Sequence, residues 1–206
     1  MVNVHDPKML RAIAHPLRNR ILGELSAQGP LRAADLSAEL DIPANQASFH
    51  LRQLAKYGLV TEAVGEGRDR RDRVWRLVEE EGLNLDIAAV EQQPGGAAAA
   101  AVFRSQAAAW AHVLVDAAHF GTRAPGVHRA IAEHALRLTD DEARELSTEL
   151  NDVVQEWALR TRGRDPSRRT YLLLSLLQPH PGTQPEDGAE GDSDNGAGDP
   201  DSVTSD

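Results

Sequence analysis

The chain has 206 residues, 41% of them hydrophobic and 26% charged, with no cysteine and a formal net charge of −10. This is the composition of a globular chain with one medium domain or two small ones. It excludes a disulfide framework, a thiolate metal site and a cysteine nucleophile.

No apolar run approaches the ~20 residues needed to cross a bilayer, and no apolar signal-peptide stretch opens the sequence. No membrane association and a cytoplasmic location are therefore expected. The charge is unevenly divided. Residues 1–78 hold 12 Lys and Arg against 9 Asp and Glu, a net of +3. Residues 79–178 carry a net of −5 and residues 179–206 a net of −8. A basic head admits a nucleic-acid partner that the whole-chain charge would disfavour.

Taken in chain order, the head reads as four helices and a hairpin. Pro7 to Ala14 is helical and stops at His15-Pro16, because proline disfavours a helical residue before it. Leu17, Ile21, Leu22 and Leu25 recur at helical spacing, which predicts a helix over 16–26. A third helix covers 32–40 and a fourth 44–57, joined by the short turn Asp41-Ile42-Pro43. Gly58 supplies a left-handed end to the fourth. Two helices so joined have the geometry of a helix-turn-helix. Residues 59–64 and 73–78 are β-rich runs around a Gly-containing loop with Arg68, Arg70 and Arg71, which reads as a basic hairpin.

At three segments the head resembles the ArsR-type winged-helix transcription regulators. They are His15-Pro16-Leu17-Arg18-Asn19-Arg20-Ile21-Leu22, Ser48-Phe49-His50-Leu51-Arg52-Gln53-Leu54 and Tyr57-Gly58-Leu59-Val60. The likeness covers about residues 7–78. It implies that residues 44–52 form the helix that enters the major groove of DNA. Ala47, Leu51 and Leu54 are committed to the core, which turns Asn45, Gln46 and Phe49 outward, with Ser48 and His50 in reach of a base or a phosphate. Arg52, Lys56, Arg68, Arg70, Arg71 and Arg73 are placed for phosphates or, in the wing, for the minor groove. Some of these residues have a second reading. Asn45 either caps the helix or touches a base, Phe49 either packs on a neighbour or meets thymine methyls, and His50 is either a DNA contact or a buried capping residue. The arginine loop, interrupted by Asp69 and Asp72, can also be read as a solvated turn.

Residues 81–96 read as a linker with one short element at most, bounded by acidic residues and Pro94-Gly95-Gly96. Over 97–178 the pattern is mainly helical. Phe103, Ala107, Trp110, Leu114 and Ala117 form one apolar stripe that Gly121 ends. Pro125 predicts a helix start running to about Leu136. Thr139 to Glu142 is a capping box opening a helix with Leu146, Leu150, Val153 and Trp157 as a seam. The two seams read as a bundle, a dimer interface or one intramolecular core. Residues 170–174 fit either a buried strand or a short helix. The acidic tail, 179–206, cannot bury enough apolar surface to order itself.

His112, Asp116 and His119 share one helix face, followed by His128, Glu133 and His134, and such donors suit Zn, Ni or Co. The close Asp-x-His pairing of the ArsR-type regulators is absent, and surface histidines on an Ala-rich helix are the simpler reading. No metal or cofactor is expected. There is no Gly-rich phosphate loop, nucleophile elbow or metallopeptidase helix, and Asp140, Asp141, Glu142 and Glu145 are explained by helix-start electrostatics, so no enzyme is expected.

The expected fold is mainly α with a small β-hairpin. A winged helix-turn-helix DNA-binding domain (1–80) is followed by the linker, a helical dimerisation or effector domain (97–178) and the disordered tail. The expected function is a sequence-specific transcription regulator, a homodimeric repressor on a two-fold symmetric operator. Double-stranded DNA, a second copy and an unidentified small-molecule effector are the candidate partners. The alternative is a winged-helix protein-interaction module without direct DNA readout.

Overall fold

A computed structural model describes residues 2–4, 6–65, 73–79, 83–122 and 124–181. The chain divides into a unit of residues 1–175 and a short second unit from residue 176, whose described part, 176–181, has no regular structure beyond a turn.

In the first unit the secondary structure follows local chemistry closely. Helix α1, Pro7–Ala14, starts where the Asp6 carboxylate accepts the Lys8 N–H at 2.7 Å, with proline at the first helical position. His15 is extended, as a residue before proline must be, and α2, Pro16–Gln28, begins immediately after it. Gly29 closes α2 at φ +83°. Helices α3, Ala33–Leu40, and α4, Ala44–Lys56, are the third and fourth expected helices. Between them Asp41 adopts φ +51°, and the Ser37 hydroxyl donates to the Ile42 carbonyl at 2.6 Å, tightening the turn.

The sheet is larger than the expected hairpin. Strands β3, Val60–Glu62, and β4, Val74–Leu77, pair antiparallel with Val60 opposite Leu77. A two-residue strand β2, Leu31–Arg32, adds to the other side of β4, giving the order β2-β4-β3. The fold is thus mainly α with a small three-stranded antiparallel sheet. Its core holds Leu10, Ile13, Ile21, Leu25, Leu31, Leu36, Leu51, Leu54 and Trp75.

The segment read as a linker carries two further elements. Strand β5, Leu83–Leu85, lies parallel to β1, Val2–Val4, and α5, Ile87–Glu91, is capped by the Asp86 side chain. Val90 of α5 and Ala99 and Ala100 of α6, Gly96–Phe120, are buried in the same core as α1. A parallel pair joining chain positions some 80 residues apart leaves no local sequence signal, which is why inspection of 81–96 alone misses it.

Beyond the first turns of α6 the expectations divide. Gly121 ends α6, and α7, Asp140–Thr161, opens on the expected capping box, with the Thr139 hydroxyl accepting from Glu142 N–H. The helix expected over 125–136 does not form: apart from a turn at its start the segment has no regular structure, and nearly all of it is exposed. A helix of that length is marginal in water without a surface to bury its apolar face, and none is provided here. Residues 170–174 are neither strand nor helix, and Tyr171 to Leu174 are exposed. Along α7, Leu150, Val153 and Trp157 are about half exposed, so the seam has no partner within the described residues. No described helix is long and apolar enough to cross a membrane.

Gly96 sits at the tightest approach in this arrangement, since a Cβ there would run into the Val90 carbonyl. Gly96→Ala should therefore lower stability by ~1–3 kcal/mol, read from denaturant midpoints. Gly58→Ala, at φ +69° with open space around it, should cost only the backbone strain of ~1–2 kcal/mol.

Candidate nucleic-acid interface

Helix α4 is amphipathic in a way that fixes its orientation. Ala47, His50, Leu51 and Leu54 are buried, whereas Asn45, Gln46, Phe49, Arg52 and Lys56 are exposed. Its N-terminal turn leaves the domain with two amides side by side. The Asn45 side-chain oxygen accepts the Gln46 N–H at 2.9 Å, so Asn45 does serve the helix start, while its N-cap residue, Pro43, offers no side-chain cap. Gln46 makes no comparable side-chain commitment that the helix needs, and its amide faces outward. Ser48 is half-buried beside Arg52, one turn along.

Phe49 and His50 separate. Phe49 is 50% exposed and meets the His50 ring edge-on, with centroids 5.2 Å apart. His50 itself turns inward and is 7% exposed, its ring tilted against the His15 ring of the α1–α2 junction with centroids 4.7 Å apart. Its place in the fold is thus the buried one of its two sequence readings. Its Nδ1 has no hydrogen-bond partner among the described residues. Burial first, then the charges of His15 and Arg18, push its pKa below the ordinary histidine value. His15 is lowered too, by burial and by Arg18, against the raising effect of its own backbone hydrogen bond.

On the flank of α4, Arg52 and Arg73 are exposed, and Arg73 pairs with Glu62 across the β3–β4 ladder at 3.1 Å. Arg68, Arg70 and Arg71 lie outside the described residues. Sequence reading missed Arg32. It ends β2, caps α3 and lies beside Ser48, Arg52, Arg73 and Trp75 around a depression of about 180 Å³. Its guanidinium grips the Asp35 carboxylate with Nε at 2.9 Å and Nη2 at 2.8 Å. Asp35 is buried, and Arg164, from beyond α7, reaches the same carboxylate at 2.8 Å. The Arg32 hydrogen bonds, aided by Arg164 and opposed by burial, hold the Asp35 carboxyl well below the usual carboxylate range. The available signal for Arg32 was its spacing of three from Asp35 at a helix start.

Elsewhere, His112, Asp116 and His119 are exposed on α6, and the His112 ring nitrogen lies 2.9 Å from the Ala108 carbonyl. Among the described residues no three His, Asp or Glu side chains come together as a metal-ligand set.

This geometry meets a family match. The model of a helix-turn-helix domain family matches residues 13–63, spanning α2, α3, α4 and β3. Over these residues α3 and α4, joined by the short turn at Asp41, have the fold of a helix-turn-helix. The family matched is that of a helix-turn-helix domain and not the ArsR type in particular. No curated protein matches the sequence. Solved structures with some likeness include a variant of ZitR from Lactococcus lactis in apo form, 18% identical over 70% of this chain and 83% of that one, with a TM-score of 0.31. MarR from E. coli is 15% identical over 73% and 88%, with a TM-score of 0.32. A variant of MepR from S. aureus bound to an oligodeoxyribonucleotide is 16% identical over 73% and 87%, with a TM-score of 0.29. Likeness at this level supports no assignment.

The histidine pair yields a pH dependence. A histidine with a depressed folded-state pKa is held neutral by the fold, and the unfolded chain protonates first as pH falls. Stability should decline as pH drops through about 6.5 and keep declining until the folded-state value is passed. Thermal midpoints measured from about pH 7.5 down to 5.5 should fall, and the fall should be smaller in His50→Gln.

Proposed function

We propose that the chain is a sequence-specific DNA-binding transcription regulator, a homodimeric repressor that reads a two-fold symmetric operator with α4. The observation that carries this reading is the exposed N-terminal face of α4. Its apolar residues are docked in the domain, and Asn45 and Gln46 are left pointing into solvent. Side-chain amides at that place can bond adenine in a bidentate manner, and a helix of this width fits the major groove. Arg52, Lys56 and Arg73 flank it, in keeping with backbone neutralisation, and Arg68, Arg70 and Arg71 stand in the sequence between β3 and β4. The helix-turn-helix match over residues 13–63 and the ArsR-type resemblance of the head support the same conclusion.

Homodimerisation rests on two observations. One recognition helix reads only a few base pairs, so discrimination needs a second half-site. Helix α7 also presents Leu150, Val153 and Trp157 half exposed in one stripe, with Arg160 stacked over the Trp157 ring at 3.6 Å. An apolar stripe of this kind fits a second copy of itself. Repression would be steric, by occupation of the operator in a cytoplasmic setting, with an effector acting through the helical C-terminal region.

Binding-site selection from random duplexes, followed by affinity measurement, tests the reading. Gln46→Ala should cost ~1–3 kcal/mol on the selected site and relax discrimination there. An equal loss on selected and random DNA would make Gln46 a positioning residue. Wild-type affinity should fall nearly log-linearly with salt, which a mainly apolar protein-interaction surface would not show. In sedimentation, Val153→Glu should shift the chain toward monomer and weaken binding to the two-half-site duplex more than to a single half-site.

A further inference from the structure

We infer that the depression between β2, α4 and β4 seats one backbone phosphate of the bound duplex, held by Arg32, Ser48, Arg52 and Arg73. The inference rests on the DNA-binding reading above and adds to it a ligand atom, a fixed position and a residue that its sequence motif does not contain.

The depression holds about 180 Å³ and is lined by Arg32, Ser48, Arg52, Arg73 and Trp75. The small side chains of Ala33 and Ala34 also line it, which leaves room for a group of phosphate size. Two of its residues, Ser48 and Arg52, stand one turn apart on α4, so the depression adjoins the face that carries Asn45 and Gln46. A duplex strand bordering the groove that receives α4 passes beside that face, and its phosphates come within reach of guanidinium forks.

The local charges favour an anion. Among the described residues, Asp35 and Glu62 are carboxylates paired with arginines of the lining. Asp35 receives Arg32 and Arg164 together, and Glu62 receives Arg73. Arg52 is a further arginine of the lining beside these pairs. Because Asp35 is buried and doubly bridged, it fixes the Arg32 guanidinium at the rim of the depression. A cation held before the ligand arrives loses less side-chain freedom on binding than one that must be ordered by it.

The test uses the full chain and the selected duplex, with single phosphodiesters replaced one at a time by neutral methylphosphonates. One position per half-site should lower wild-type affinity about tenfold. The same replacement should cost Arg73→Gln and Arg32→Gln much less, because the partner is already gone. Each variant should weaken selected and random duplexes alike and reduce the salt slope by about one. Arg32→Gln also removes a partner of Asp35, so Arg73→Gln, whose ion pair is exposed, and the DNA-side replacement keep the test independent of folding. If no methylphosphonate position couples to either arginine while the chain still selects its site, the phosphate seat is overturned and the DNA reading stands. A loss confined to the selected sequence would indicate base readout and also overturn the seat. Failure of the folded chain to bind any duplex in dilute salt would overturn both.

Discussion

Ala47, His50, Leu51 and Leu54 decide which way α4 faces, and the rest of the proposed function depends on that choice. Burying these four against the helices of the head leaves only one arc of α4 for anything outside the domain. Asn45 and Gln46 occupy the beginning of that arc and Arg52 and Lys56 its later turns. Amides come first where a groove-docked helix meets base edges, and cations follow where it meets the strand. His50 is the unusual member of the buried set. A leucine would pack there without a polar atom, yet among the described residues the Nδ1 atom has no hydrogen-bond partner and the ring lies tilted against His15. The cost of that burial falls on the charged form, so the junction of α1 with α2 and the centre of α4 share one sensitivity to protons.

Asp35 plays a comparable organising role at the other side of α4. It accepts the Arg32 backbone N–H at 2.9 Å, which caps α3, and at the same time takes the side chains of Arg32 and Arg164. One buried carboxylate thus joins the start of the helix-turn-helix, the short strand that closes the sheet and a residue 129 positions away in sequence. A buried charge of this kind is tolerated because it is paired twice and hydrogen-bonded to the backbone. Removal of either arginine leaves the carboxylate still partnered. Removal of Asp35 would take from Arg32 and Arg164 the carboxylate they share.

The sequence was most readable where structure is set by neighbours in the chain. His15-Pro16, the turn at Asp41, Gly58, Gly121 and the Thr139 capping box all stand where the residues imply, because each acts through backbone groups a few positions away. The exposure of Asn45 and Gln46 on α4 was legible for the same reason, since helical periodicity separates them from the buried Ala47, Leu51 and Leu54, whereas the burial of His50 was one of two readings. Long-range pairings were not legible. Strand β2 has two residues and exists only because β4 offers it a free edge, and β1 and β5 find each other across the whole head. Arg32 escaped notice because its role comes from what surrounds it in space. Pro125 misled in the opposite direction: a sound helix-start signal had no surface on which to fold a helix.

Helix α6 shows how these two kinds of information combine. Its alanines favour a helix wherever it is placed, so its length needs no tertiary support. Its position does. Only its first turns are buried, with Ala99 and Ala100 at zero exposure beside α1 and Val90, and glycine at its first residue lets the Val90 carbonyl approach. The remaining turns leave the head behind and carry Val113, Val115 and Phe120 into solvent. Any partner that settled on the exposed apolar surface of α6 and α7 would bury side chains that the head itself leaves in solvent, and it would meet a helix whose first turns are already docked beside α1.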